Sequence, residues 1–153
     1  TKTVYLVRQG KLFLIFTQSL GPCDSPLNET GIRQVEATRD YFKKKGIKFD
    51  KAFSSTQERA SDTLEIITDH KMKYKRLKDL REKNYGIYKR KMNFVALVAG
   101  HGDILTRYVR ADTEKKDFSG FRNASVVKLA FDGRKPHFVS YAWPAKRLFH
   151  WHW

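Results

Sequence analysis

The chain has 153 residues, and its 31 Lys and Arg against 16 Asp and Glu leave a formal charge of +15 beside an ordinary apolar share of 41%. That length predicts one compact domain that buries roughly 68–70% of its unfolded surface and needs neither metal nor disulfide to fold. The single cysteine, Cys23, excludes an internal disulfide framework and any multi-cysteine zinc or iron–sulfur site, and it fits a reducing compartment. The longest apolar stretches, Leu12 to Phe16 and Phe94 to Gly100, fall far short of the ~18–20 residues that cross a bilayer, so no membrane helix is expected. No h-region or small-residue cleavage pattern opens the chain, so no signal peptide is expected and a cytoplasmic location is the reading.

In chain order, Val4 to Val7 is a short apolar run ending in Arg8-Gln9-Gly10, the pattern of a buried strand that delivers a turn at its C-terminal tip. Asn28 then caps a helix that places Ile32, Val35, Tyr41 and Phe42 near one face and closes on Lys43-Lys44-Lys45-Gly46. Lys48 to Phe53 reads as the next strand. A second helix starts at Ser55, with Glu58 completing a capping box, and buries Ala60, Leu64 and Ile67. Phe94 to Ala99 is another apolar strand, ending in Gly100-His101-Gly102, and Ile104, Leu105, Tyr108 and Val109 give a third, shorter helix. Ser125 to Phe131 and Pro136 to Tyr141, joined at Asp132-Gly133, form a terminal strand pair. The class is α/β: three layers, α/β/α, a mostly parallel sheet with helices on both faces. Residues 1–143 make that domain, and residues 144–153 make an aromatic and basic tail whose rings either pack on the domain or remain disordered.

In an open parallel sheet, ligands sit beyond the carboxyl ends of the strands. If the strands ending in Arg8-Gln9-Gly10 and Gly100-His101-Gly102 are neighbours, Arg8, Gln9 and His101 meet in one crevice. Glycines let a ligand approach the backbone, and the N–H groups opening the helix after Gly102 favour an anion. Arg59, one turn into the second helix, follows a strand of the same direction. Two arginines, a histidine and a helix N-terminus suit a tetrahedral anion such as phosphate.

These residues fall into blocks that together resemble the histidine phosphatase superfamily of phosphoglycerate mutases and related phosphatases. The blocks are Leu6-Val7-Arg8-Gln9-Gly10, Cys23 to Leu27 with Thr30-Gly31, Ser54 to Ala60 with Thr63, Leu80-Arg81-Glu82 with Gly86, and His101-Gly102. The resemblance implies attack on phosphorus by the histidine of the first block, giving a phosphohistidine. It also implies that Arg8, Arg59 and His101 clamp the phosphoryl oxygens and that Glu82 protonates the leaving oxygen. No metal or cofactor is implied. The partner is a small phosphorylated ligand or inorganic phosphate, and mutases and phosphatases share these blocks.

The departures are specific. The nucleophile position holds Gln9, whose amide nitrogen has its lone pair delocalised into the carbonyl and cannot attack phosphorus. Leu14 and Gln18 stand about where the family places an Asn and an Arg, and only Gly86 to Asn93 occupies the place of a helical lid segment. A scaffold impaired in turnover is therefore expected. The alternative is a non-catalytic module that binds phosphate or a polyanion such as RNA. There the basic run Lys71 to Lys91, ten basic residues against Asp79 and Glu82, supplies the charge and Tyr74, Tyr85 and Tyr88 the stacking platforms. The sequence sets no oligomeric state.

Overall fold

Aliphatic and β-branched residues make two strands that are buried almost throughout, and these two form the centre of the sheet. The computed structural model describes residues 2–10, 27–55, 58–78 and 93–151. Within them the chain runs β1 (Lys2–Arg8), α1 (Glu29–Lys44), β2 (Lys51–Ser55), α2 (Glu58–Ile67), β3 (Lys75–Leu77), β4 (Phe94–Gly100), α3 (Gly102–Asp112), β5 (Val126–Asp132) and β6 (Lys135–Ala142), followed by a 3-10 helix over Pro144–Trp151. The strands form one six-stranded sheet in the order β3-β2-β4-β1-β5-β6. Pairing is parallel from β3 to β1 and antiparallel at β1–β5 and β5–β6, so the expected mostly parallel sheet with a terminal strand pair is what forms.

Strand periodicity divides the core into two layers. Tyr5, Val7, Leu97 and Ala99 face Val35 and Phe42 of α1 and Leu64 and Ile67 of α2. Val4, Leu6, Ala96 and Val98 face Leu105, Tyr108 and Val109 of α3, with Phe118 and Phe121 beside them. The helix after β1 thus covers one face of the sheet, and the helix after β4 covers the other.

Asn28 caps α1 as its sequence position indicates, its Oδ1 accepting the Gly31 N–H at 2.6 Å. Gly46, at φ +68°, takes the left-handed residue just past the helix end. Three local expectations shift. Ile32 is exposed, while Gln34 and Thr38 are fully buried, because the face of α1 that meets the domain runs through Gly31, Gln34, Val35, Thr38 and Phe42. Ile104 is likewise exposed beside buried Leu105, Tyr108 and Val109. β2 begins at Lys51 rather than Lys48, where its ladder with β4 starts, and extends through Ser55, which pairs with Leu77. Ser55 therefore ends a strand instead of capping a helix, and α2 begins at Glu58. The 3-10 helix packs against α1 with Ala145 fully buried.

Candidate active site

β1 and β4 are adjacent and parallel, and the chain leaves their C-terminal tips toward opposite faces. That divergence opens a crevice at the tips, the place where an open α/β sheet receives ligands. Arg8 pairs with Gly100 across the two strands, and the Gln9 N–H donates to the Gly100 carbonyl at 3.0 Å. Gln9 is only 4% exposed, and its Oε1 is enclosed with no hydrogen-bond partner among the described residues. The next residue must be glycine for steric reasons. A Cβ on Gly10 would lie 2.7 Å from the Gly31 carbonyl oxygen and 2.8 Å from Val35 Cγ2. Its N–H donates to Thr63 Oγ1 at 3.3 Å, which fixes the β1 tip against α2.

His101 stands in extended backbone at the N-cap position of α3, half-buried, and its carbonyl accepts the Leu105 N–H at 2.9 Å. Its side chain makes no capping bond. Gly102 opens the helix, and a Cβ there would come to 3.0 Å from both Cδ and Nε of Arg8. The arginine therefore lies across the start of α3. Its Nη1 donates to the Phe121 carbonyl at 2.6 Å, and its Nε is buried without a partner among the described residues. Burial pushes the Arg8 pKa below the usual arginine value, Asp103 and Tyr141 act to raise it, and Arg122 acts to lower it. Arg8 remains a cation, half withdrawn from water and, among the described residues, without a salt bridge. An anion in the crevice would relieve that arrangement.

Arg8, Gln9, His101 and Gly102 are thus brought together. The backbone of Arg59 lies in the first turn of α2, one residue after its start, and one turn before Thr63 on the same face of the helix. Glu82 and residues 86–92 of the segment in place of the lid lie outside the described residues. Near Arg59 on the chain, Ser54 Oγ donates to the Ser55 carbonyl at 2.8 Å and lies 3.1 Å from Ser61 Oγ, while Ser55 Oγ is buried with no partner among the described residues.

Sequence reasoning missed the turn at residues 121–125, which completes the crevice wall. Phe121 holds Arg8, the Ala124 N–H reaches the Gln9 carbonyl at 3.4 Å, and the Arg8 N–H donates to the Ser125 carbonyl at 3.1 Å. Only Gly120, Asn123 and Ser125 ahead of the apolar run of β5 signal a turn there, and nothing local says what it touches.

Fold and site together define an α/β domain in which Arg8, Gln9 and His101 meet at the adjacent tips of β1 and β4. The sequence matches the family model of the histidine phosphatase superfamily (branch 1) over residues 4–94, and the chain belongs to that family. It matches none of the curated proteins with which it was compared. Among solved structures it is similar to the protein histidine phosphatase SixA complexed with tungstate, with TM-score 0.78 and 16% identity over 95% of this chain and 99% of that one. A phosphoglycerate mutase from Bacillus anthracis superposes with TM-score 0.70 and 20% identity over 90% and 91% of the two chains. A phosphoserine phosphatase from Entamoeba histolytica, carrying a histidine-to-alanine substitution and in complex with phosphoserine, gives TM-score 0.64 and 16% identity over 92% and 96%. At these identities the likeness establishes the phosphatase and mutase fold.

Proposed function

We propose that the crevice gathers the phosphoryl group of a small phosphate ester and that the chain as it stands binds such ligands without efficient turnover. The observation that carries this reading is Arg8: a half-buried cation that makes no salt bridge among the described residues, laid across the start of α3, one residue from Gln9. Arg8, Arg59, His101 and the N–H groups opening α3 supply the positive potential that a phosphoryl group requires. In the full reaction of this fold, a neutral imidazole at position 9 attacks phosphorus. The new N–P bond forms as the ester P–O bond breaks, the electron pair goes to the departing oxygen, and Glu82 supplies its proton. Water then displaces the phosphate from the imidazole. In a carboxamide at position 9 the nitrogen lone pair is delocalised into the carbonyl and does not serve the first step, so binding is separated from chemistry. The Entamoeba relative, with one histidine replaced by alanine and phosphoserine bound, is in keeping with ligand capture in an altered site.

Phosphate, sulfate or vanadate should raise the melting temperature of the protein by mass action, and Arg59→Ala should abolish that shift. An unchanged shift would mean that general surface charge holds the ion. Gln9→His should create slow hydrolysis of an activated aryl phosphate, lost again on His101→Ala, with an acid-labile phosphoryl label on the introduced imidazole. The repair should be partial, because even small misplacements of a reacting group cost ~100-fold. If the unaltered protein hydrolyses the ester at the variant's rate, position 9 does not carry the nucleophile.

A further inference from the structure

The backbone around Gln9 is held from three elements. Its N–H donates to the Gly100 carbonyl at 3.0 Å, its carbonyl accepts the Ala124 N–H at 3.4 Å, and the N–H of the following Gly10 is taken by Thr63 Oγ1 at 3.3 Å. Ala124 is itself fixed: it is fully buried at φ +60°, a left-handed backbone that is unfavourable for a residue with a Cβ, and its carbonyl accepts Thr38 Oγ1 at 2.6 Å. Strain of this kind persists where surrounding contacts over-determine a geometry. The backbone of position 9 therefore has little freedom to carry its side chain elsewhere, and that side chain is 4% exposed with Oε1 enclosed and unpartnered among the described residues. A carboxamide oxygen withdrawn from water and left without a donor is unfavourable, and folded proteins keep few of them where no ligand or water supplies the hydrogen.

The hydrogen-bonding sense of that oxygen is opposite to the rest of the crevice. The Arg8 guanidinium, whose Nε is also enclosed without a partner among the described residues, and the N–H groups that open α3 are donors only. The backbone carbonyls at the tips are taken: Gly100 by Gln9, Gln9 by Ala124, Ser125 by the Arg8 N–H and Phe121 by Arg8 Nη1. The His101 imidazole donates or accepts according to its tautomer, and Ser55 Oγ is a hydroxyl that can do either. Asp103 is exposed. An anion without a hydrogen satisfies the donors but sets a second acceptor against Gln9 Oε1, lone pair facing lone pair. An anion that keeps one hydrogen satisfies both sets: its bare oxygens meet Arg8 and the α3 N–H groups, and its O–H donates to Gln9.

We propose that Gln9 is a specificity-determining residue whose Oε1 accepts a hydrogen carried by the anion itself. The ligand class is then a tetrahedral oxyanion with an O–H, either hydrogen phosphate or a phosphate ester in its singly protonated form, in preference to sulfate. This inference rests on the phosphate reading of the crevice, and the test separates the two. Calorimetry in mildly alkaline buffer would compare phosphate, sulfate and monofluorophosphate, dianions of similar size of which only hydrogen phosphate carries a hydrogen. Phosphate should bind roughly tenfold more tightly than either, the scale of one buried hydrogen bond to a charged partner. Gln9→Met, which keeps the length of the side chain and removes the acceptor, and independently Gln9→Leu, should bring both ratios of dissociation constants close to one, with ligand-free melting as the check on folding. Ratios near one in the unaltered protein, or a preference that survives both substitutions, would overturn the role of Gln9 and leave the phosphate reading standing. Failure of all three anions to bind would overturn the phosphate reading and this inference with it.

Discussion

At the scale of single residues, the site depends on how closely backbone and side chain approach each other at the two strand tips. Gly10 and Gly102 permit two different contacts: the first lets β1 meet the backbone of α1, and the second lets Arg8 lie across α3. A methyl group at position 102 would press on the middle of the Arg8 side chain, which can move only by turning its guanidinium out of place. Gly102→Ala should therefore reduce the phosphate-induced rise in melting temperature. The ligand-free protein should change by less than about 1 kcal/mol, since alanine is the better helix former. Thermal unfolding with and without phosphate measures both, and an undiminished shift would show that Arg8 binds without that contact. The roles of these glycines could not be read locally. Locally Gly102 reads as a glycine that lets a ligand approach the backbone, and its neighbour across space is 94 positions earlier in the chain.

At the scale of elements, α1 and α2 are joined through the turn that ends α2. Asp69 and His70 both adopt positive φ there, at 54° and 58°. Lys43 Nζ lies 2.6 Å from Asp69 Oδ2 and Arg39 Nη1 3.8 Å from Oδ1, which ties the turn back to α1. The hydrogen bond from Lys43 holds the Asp69 carboxyl below its usual pKa, with the charges of Lys43, Arg39 and Lys71 acting in the same direction. A carboxyl depressed in the folded state contributes stability above its unfolded value, about 3.9, and loses it as pH falls through the folded value. Asp69→Asn should thus lower the urea midpoint at neutral pH, and the gap to the unaltered protein should close as pH is taken below about 4. A gap independent of pH would mean that the pair does not contribute through its charge. The helices themselves were legible from the Asn28 cap, the basic residues closing α1 and the apolar spacing of Ala60, Leu64 and Ile67. The start of α2 was not, because strand pairing of Ser55 overrode a local capping signal.

At the scale of the whole molecule, the +15 charge acquires a direction that a list of residues lacks. Helices of an α/β domain run away from the crevice, so the ends of α1 and α2 and the starts of β2 and β3 share the opposite pole. Lys44, Lys45, Lys48, Lys51, Lys71, Lys73 and Lys75 are all exposed there. The parallel register of Phe53 with Lys75 brings Lys51 level with Lys73. Two of the nearby acids are engaged: Asp50 Oδ2 accepts the Val95 N–H at 2.8 Å, and Asp69 is held by Lys43. Tyr74 is engaged too, its half-buried side chain donating to Glu65 Oε1 at 2.8 Å, so it is not an open stacking platform; Tyr85 and Tyr88 lie outside the described residues. Among the described residues no helix is long and apolar enough to cross a membrane. Charge of this kind should hold single-stranded RNA in a salt-sensitive, sequence-indifferent way. Replacing Lys45, Lys48 and Lys73 with Glu should weaken retention of an RNA oligonucleotide at low salt and leave the phosphate-induced melting shift intact. A shift that disappears with those lysines would show that phosphate binds at this pole and not in the crevice.

The sequence by itself determined the buried strands ending in Arg8-Gln9-Gly10 and Gly100-His101-Gly102, the capped helix at Asn28 and the turn at Asp132-Gly133. Each is a short-range signal: an apolar run, a cap, or a left-handed glycine at φ +59°. Only the tertiary structure decided that β4 inserts between β1 and β2, and strand order is what turns two separate tips into one crevice. It also decided that Ile32 and Ile104 face outward and that the 121–125 turn closes over Arg8, through a contact between residues 113 positions apart. Local periodicity says which residues share a face of one element, but which neighbour that face meets depends on sheet pairing across the whole chain.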